Sequence, residues 1–228
     1  MGKIINLIAP KYCKICIEKT HNPHHICSQC VAHLPWHNQT TCAICAVTLT
    51  QPNTTYCGKC ATNTFAFDKI TAAFNYTHPI NNWIKQFKYQ HTYYLAHHFA
   101  ALLAPQCLNR AQHIDVLIPM PISFRRWYGR GFNQAALLAK HISQCVEKPV
   151  AYKILKKIKH TKPQAQLTRS ARMVNQNGTM QAHSSDYKRA ALIDDVVTTG
   201  ATVHAASQSL KRAGFKHVEV WCIARSSQ

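Results

Sequence analysis

The chain has 228 residues, with 27 Lys+Arg against 8 Asp+Glu for a formal net charge of +19. At 46% hydrophobic and 15% charged it has apolar residues enough for a core, which excludes a disordered polybasic tail, and its length suits one to two domains. No apolar run approaches the roughly 18 residues of a membrane span, and the apolar stretch at residues 4–8 is too short for a secretory signal. Membrane insertion is therefore not expected, and a cytoplasmic protein that meets polyanions is. Eleven cysteines without an export signal imply a reducing compartment, where metal binding or catalysis outranks disulfides.

Eight of those cysteines lie between positions 13 and 60, as Cys13-x2-Cys16, Cys27-x2-Cys30, Cys42-x2-Cys45 and Cys57-x2-Cys60. Each CxxC turn aims two thiolates at one point, and two turns complete a tetrahedral four-cysteine shell for a structural Zn2+. The first pair of turns recurs 29 to 30 residues later, which reads as a duplicated ribbon with one zinc per unit. The repeat favours a sequential grouping of Cys13, Cys16, Cys27 and Cys30, then Cys42, Cys45, Cys57 and Cys60. Nearly equal intervals of 10, 11 and 11 residues also accommodate an interleaved one. With four cysteines per unit present, His21, His24 and His25 read as solvated loop residues. Residues 1–60 carry five Lys and one Glu, and two Zn2+ on eight thiolates bring this region near neutrality. The basic character belongs to the remainder: residues 120–190 hold 14 Lys+Arg against Glu147 and Asp186, an anion-binding surface.

Beyond Cys60 strand and helix patterns alternate, which divides the chain into a zinc-ribbon domain at 1–64 and a second domain at 65–228. Asp68–Tyr76 reads as a strand. Pro79 opens a helical region in which Ile80, Ile84 and Phe87 form one apolar stripe and Leu95, Phe99, Leu102 and Leu103 a second. Ile114–Met120 is a short apolar strand, Ala135–Val146 a helix, Val150–Leu155 a strand, and Gln164–Val174 a helix. Ala190–Ile193 is a buried strand ending in Asp194-Asp195. Ala201–Ala213 is a helix closed by Gly214, and His217–Ile223 is the last strand. Cys107, Cys145 and Cys222 read as core packing. The alternation argues for an α/β fold whose mainly parallel sheet has helices on both faces. In such sheets ligands bind beyond the carboxyl ends of the strands.

One such end holds Asp194-Asp195-Val196-Val197-Thr198-Thr199-Gly200-Ala201-Thr202. Two of the eight acids are adjacent here, and the following hydroxyls and amides stand at a helix N-terminus, an anion site. Carboxylates accept hydrogen bonds from vicinal hydroxyls and the Thr-Gly loop cradles a phosphate, so the segment fits a sugar phosphate held at both ends. The lysine of a Walker loop is absent.

This segment resembles the phosphoribosyl-pyrophosphate (PRPP) motif of type I phosphoribosyltransferases. Carried over, Asp194 and Asp195 hold the ribose hydroxyls and Val196–Thr202 contact PRPP, with the 5′-phosphate on Thr198–Thr202. Arg125-x4-Arg130-Gly131-Phe132-Asn133-Gln134 after Val116–Pro121, with Leu167, Arg172, Asn175 and Gly178 after Thr161-x2-Gln164 and the Phe87-Lys88-Tyr89 segment, is similar to ComF-type competence proteins. That family joins an N-terminal double zinc ribbon to a transferase domain, and the match covers nearly the whole chain. The resemblance implies that Pro121–Arg126 meet the pyrophosphate, with Arg125 and Arg126 assisting its departure beside Mg2+ and Arg130 supporting the next helix. It also implies that 156–164, with Lys157, Lys159, Thr161 and Gln164, form a hood loop over PRPP.

In the 6-oxopurine transferases an acid three residues after the second acidic residue assists the base. Thr198 stands there in this chain, so purine salvage does not follow, and no nucleobase pocket is legible. The family implies a role in natural transformation and DNA uptake, acting on internalised single-stranded DNA. Lys85, Lys88, Tyr89 and Arg130 mix cations with an aromatic ring, as single-strand binding surfaces do; an amphipathic helix with snorkelling lysines fits the Lys85–Tyr89 pattern too. Three functions are thus open: a PRPP-dependent transferase, a zinc-stabilised single-stranded DNA-binding factor with a non-catalytic PRPP site, and an adaptor for other competence proteins.

Overall fold

The structure is a computed structural model of the chain, and it describes residues 12–22, 26–51, 53–158 and 179–226. Ala190–Ile193 are wholly buried, and such a run suits a strand covered on both faces. It lies in β5 (Arg189–Val197), which pairs in parallel with β2 (Val116–Pro119) on one side and β6 (His217–Arg225) on the other. β1 (Lys69–Asn75) pairs in parallel with the far side of β6, giving the order β1-β6-β5-β2. Neighbouring residues of one strand enter opposite cores. Leu117, Ile193 and Trp221 pack with Phe74, Phe87 and Phe99 on one face; Ile118, Leu192 and Val220 pack with Ile70, Leu210 and Phe215 on the other.

The helices follow the apolar stripes. In the ribbon region α1 is Ser28–Ala32 and α2 is Gly58–Thr62. α3 (Ile80–Tyr89) buries Ile80, Ile84 and Phe87; α4 (Leu95–Ala111) buries Leu95, Phe99, Leu102 and Leu103. α5 (Phe124–Arg130) buries nothing, whereas α6 (Gln134–Val146) buries Leu138, Ala139 and Ile142. α7 (Ala201–Arg212) is followed by Gly214 at φ +99°, a left-handed position suited to glycine just past a helix end. β3 (Leu155–Lys157) pairs antiparallel with β4 (Met180–Ala182) beside the main sheet.

The ribbon packs on the β1 edge, which would otherwise present unpaired backbone groups. His37 N–H donates to the Ala73 carbonyl at 2.9 Å and Asn75 N–H to the Pro35 carbonyl at 2.8 Å. Trp36 lies against Phe74 with ring centroids 4.6 Å apart. Away from the carboxyl edge, buried Glu219 receives the Arg110 guanidinium through Nε at 2.6 Å and through Nη2, and Trp221 Nε1–H at 3.0 Å. Burial opposes charge on Glu219, and these donors with His217 overcome it and hold its carboxyl below the ordinary range.

Five expectations change. β5 does not stop at Ile193: its pairing with β6 continues through Asp194↔Cys222 to Val197↔Arg225, so the acids stand within the strand. Of the strand expected at 150–155, Val150 makes only a single bridge to Leu117 and the strand starts at Leu155. Lys156 and Lys157 consequently sit on β3 and not in a loop. Residues from Phe124 onward form a helix where a loop to Arg126 was expected, because Ser123 caps it and Gly131 at φ +74° ends it. Cys145 is exposed, unlike buried Cys107 and Cys222, because it lies off the buried stripe of α6. The expected 164–174 helix, Lys159, Thr161 and Gln164 lie outside the described residues, as do His24 and His25.

Candidate functional site

Two sulfur clusters form first. Cys13, Cys16, Cys27 and Cys30 bring their Sγ atoms within 4.8 Å of one another, and so do Cys42, Cys45, Cys57 and Cys60. The sequential grouping therefore holds. The duplication extends to the backbone: Tyr12 bridges Lys19 as Thr41 bridges Thr48, and Ile17 and Ala46 both take positive φ. Cys16 and Cys27 sulfurs are 3.7 Å apart and Cys45 and Cys57 sulfurs 3.6 Å, close to the edge of about 3.8 Å in a tetrahedron with Zn–S of about 2.3 Å. Burial resists a thiolate on Cys13, yet N–H groups of Cys16, Cys27 and Ile15 bring its pKa down to about 6. Cys30 and Cys60 are pushed up, by burial first and then by the neighbouring sulfurs. Four thiolates so close need a central cation, and zinc fits both clusters. His21 is exposed and takes no part in either.

The second site lies at the carboxyl ends of β2 and β5. A cleft of about 210 Å3 is lined by Asp194 and Asp195 from β5, Lys88 from α3, Arg126 from α5, Lys157 from β3 and Thr202 from α7. Lys88 Nζ stands 3.0 Å from Asp195 Oδ1. Asp194 takes a hydrogen bond from Asp195 N–H at 2.9 Å. Its own pKa is nonetheless raised to about 7, first by burial and then by the charge of Asp195. Burial and the Arg126 charge lower the pKa of Lys157, while Asp194 opposes them.

The loop after β5 leaves Thr198 and Thr199 exposed and turns through Gly200 at φ +80°, with Thr202 exposed on the first turn of α7. A Cβ on Gly200 would also meet the Phe67 ring at 3.7 Å. Gly200 itself offers α7 no side-chain cap, and Thr199 Oγ1 accepts from Ala201 N–H at 3.3 Å; hydroxyls and amides thus gather at a helix N-terminus, where an anion is favoured. Arg225, buried at the end of β6, holds this loop from behind. Its Nη1 donates to the carbonyls of Val197 at 3.0 Å, Thr198, and Ser226 at 2.8 Å, and its Nε to Cys45 in the second ribbon at 2.9 Å.

Of the two arginines, Arg126 reaches the cleft, while Arg125 is exposed and does not line it. Arg130 supports its neighbourhood: it donates to Gln134 Oε1 and to the Tyr89 hydroxyl, both at 3.2 Å, and its guanidinium lies 4.9 Å from the centroid of the Tyr89 ring. Lys85 is exposed, whereas Lys88 is directed to Asp195. Sequence reasoning missed Lys88 as a member of this cleft, and missed Gln134, which is 2% exposed and lines it with Nε2 lacking a partner. Arg225 was missed as well; its signal was a lone cation in an otherwise apolar strand terminus.

Residues 4–61 match the double zinc ribbon domain, and residues 130–228 match the phosphoribosyl transferase domain. Competence protein F of Haemophilus influenzae is 33% identical over 170 residues, covering 71% of this chain and 74% of its own. The chain belongs to the competence protein F family. Other relatives are the DNA utilization protein YhgH of Escherichia coli strain K12, 28% identical over 166 residues (70% of this chain, 73% of that one), and competence protein ComFC of Bacillus subtilis, 33% identical over 100 residues (43% and 39%). The resemblance drawn from the arginine, PRPP-like and cysteine motifs thus holds. In this competence protein F relative the α/β sheet and the two four-cysteine clusters are joined as that family joins them, and two structural zinc ions are the metal complement that the clusters imply.

Proposed function

We propose that this protein binds PRPP with Mg2+ in the Asp194–Asp195 cleft and acts inside the cell on internalised single-stranded DNA during DNA uptake. The observation that carries the first part is the pairing of two adjacent carboxylates with a threonine-rich helix N-terminus at one strand end. Asp194 and Asp195 receive the ribose hydroxyls, and the amides and hydroxyls of Thr198–Thr202 receive the 5′-phosphate. Lys88, Arg126 and Gln134 Nε2 face the same space and are donors for pyrophosphate oxygens. Mg2+ bound together with PRPP would supply further positive charge for the leaving pyrophosphate, beside the cations of Lys88 and Arg126. The carboxylates orient the sugar and favour the positive charge that develops on it. The names competence protein F and DNA utilization protein carried by the relatives support the second part.

A second reading also has an observation behind it. Among the described residues Asp194 and Asp195 are the only acids lining the cleft, and Thr198 follows where the 6-oxopurine enzymes carry an acid. A PRPP site that regulates DNA binding without group transfer fits this donor set. Calorimetry with PRPP and Mg2+ tests the shared basis: Asp194→Asn with Asp195→Asn should weaken binding at least about a hundredfold, since two charge-assisted contacts are lost. Unchanged binding would refute the site. Pyrophosphate release with candidate acceptors then separates transfer from regulation.

A further inference from the structure

α5 is an unusual helix for its surroundings. Helices of this length are held by burying a face, yet none of its seven residues is buried. Phe124, Trp127 and Tyr128 are 66%, 50% and 79% exposed, and Phe124 stacks on Trp127 at 6.1 Å between centroids. Such an exposed aromatic cluster marks a binding surface. Trp127 and, from beyond α6, half-exposed Tyr152 both line a cleft of about 410 Å3 with Pro119, Ala136 and Leu155 at its apolar walls. Among the described residues no acid lines it, while Lys156 and Lys157 do. The cleft shares Pro121, Ile122, Asn133 and Lys157 with the Asp194–Asp195 cleft, so the two are continuous.

We infer that the Trp127–Tyr152 cleft is the base-stacking site for single-stranded DNA, with Arg125 and Lys156 following the phosphates. The inference rests on the DNA-handling function proposed above and assigns it a surface. Charge and shape select the occupant: an apolar protein segment uses the rings alone, a flat lipid surface does not enter a cleft, and a nucleic acid strand uses the rings and the interleaved cations together. Continuity with the sugar-phosphate site places a stacked nucleotide beside PRPP.

The test uses the full zinc-loaded chain, a fluorescent dT20 and an abasic strand of equal length, read by anisotropy over a salt series. The wild type should prefer dT20 by on the order of tenfold. Trp127→Ala and Tyr152→Ala should each remove most of that preference, leaving abasic-strand affinity and the salt slope unchanged; Lys156→Ala should weaken both strands alike and reduce the slope by about one. If the wild type prefers dT20 and both aromatic variants keep the preference, the cleft is not the stacking site, although the DNA reading stands. If the wild type binds neither strand, that reading fails and this inference with it. If thymidine fills the cleft and quenches Trp127 while dT20 does not, the cleft is a small-molecule site and the inference is overturned.

Discussion

At Asp194, burial and the adjacent Asp195 charge act in the same direction and keep its carboxyl protonated up to about pH 7. In the free protein the native state therefore holds a proton that the unfolded chain loses near 3.8, the ordinary aspartate value. The contribution of this residue to stability declines as pH rises from that value toward 7. Asp115 does the opposite. Burial opposes its charge, but the Lys188 and Arg189 amides overcome this and lower its pKa, so its contribution is full above the ordinary aspartate range and fades as pH falls through the lowered value. Ribose hydroxyls donate to an ionised carboxylate, so PRPP favours the deprotonated form of Asp194. Its affinity should rise about tenfold from pH 6 to pH 8, with proton release on binding at the lower end, measured by calorimetry in buffers of differing ionisation heat. The Asp194→Asn protein should lose this part of the pH dependence; an identical profile in that variant would show that another group titrates. The acidic pair was legible in the sequence because two of only eight acids stood together. Lys88 and Gln134 were not legible as partners, because they lie about a hundred and about sixty residues away in the chain and only packing brings them to the cleft.

Among the elements, the loop joining β5 to α7 depends on a support outside itself. Arg225 binds the Val197 and Thr198 carbonyls and also the Cys45 carbonyl, so one guanidinium links the β5–α7 loop to the backbone of a cysteine in the second sulfur cluster. Arg225→Met removes the guanidinium from the Cys45 and Thr198 carbonyls, while Val197 keeps Ser226 N–H, and should cost about 2–3 kcal/mol in urea unfolding. PRPP affinity should fall as well, with Arg225→Lys recovering part of it. Stability lost without any change in PRPP affinity would mean that the loop needs no such support. Periodicity read the main strands and helices closely, because apolar runs and stripes are local. It failed at β3 and α5. β3 is held by pairing with a strand more than twenty residues away, and α5 has no apolar stripe against the core to announce it. The missed helix carries the aromatics now assigned to DNA.

For the molecule as a whole, the ribbons cover an edge of the sheet, the carboxyl ends of β2 and β5 open on the Asp194–Asp195 cleft, and the basic aromatic face of α5 adjoins that cleft. Cysteine spacing made the two metal clusters legible, since their ligands recur with the repeat. Their packing against β1 and their reach to Arg225 were not, since His37, Trp36 and Cys45 reach the sheet through backbone groups, the Trp36–Phe74 ring contact and the His37–Asn75 hydrogen bond, none of which spacing encodes. No helix among the described residues is long and apolar enough to cross a membrane. All of the functional account depends on a pentose phosphate occupying the cleft. A crystal structure with PRPP and Mg2+ is the most direct measurement. The account predicts ribose hydroxyls within hydrogen-bond distance of Asp194 and Asp195, with the 5′-phosphate on the Thr198–Thr202 amides. Density for the sugar elsewhere, or an empty cleft at saturating ligand, would contradict it.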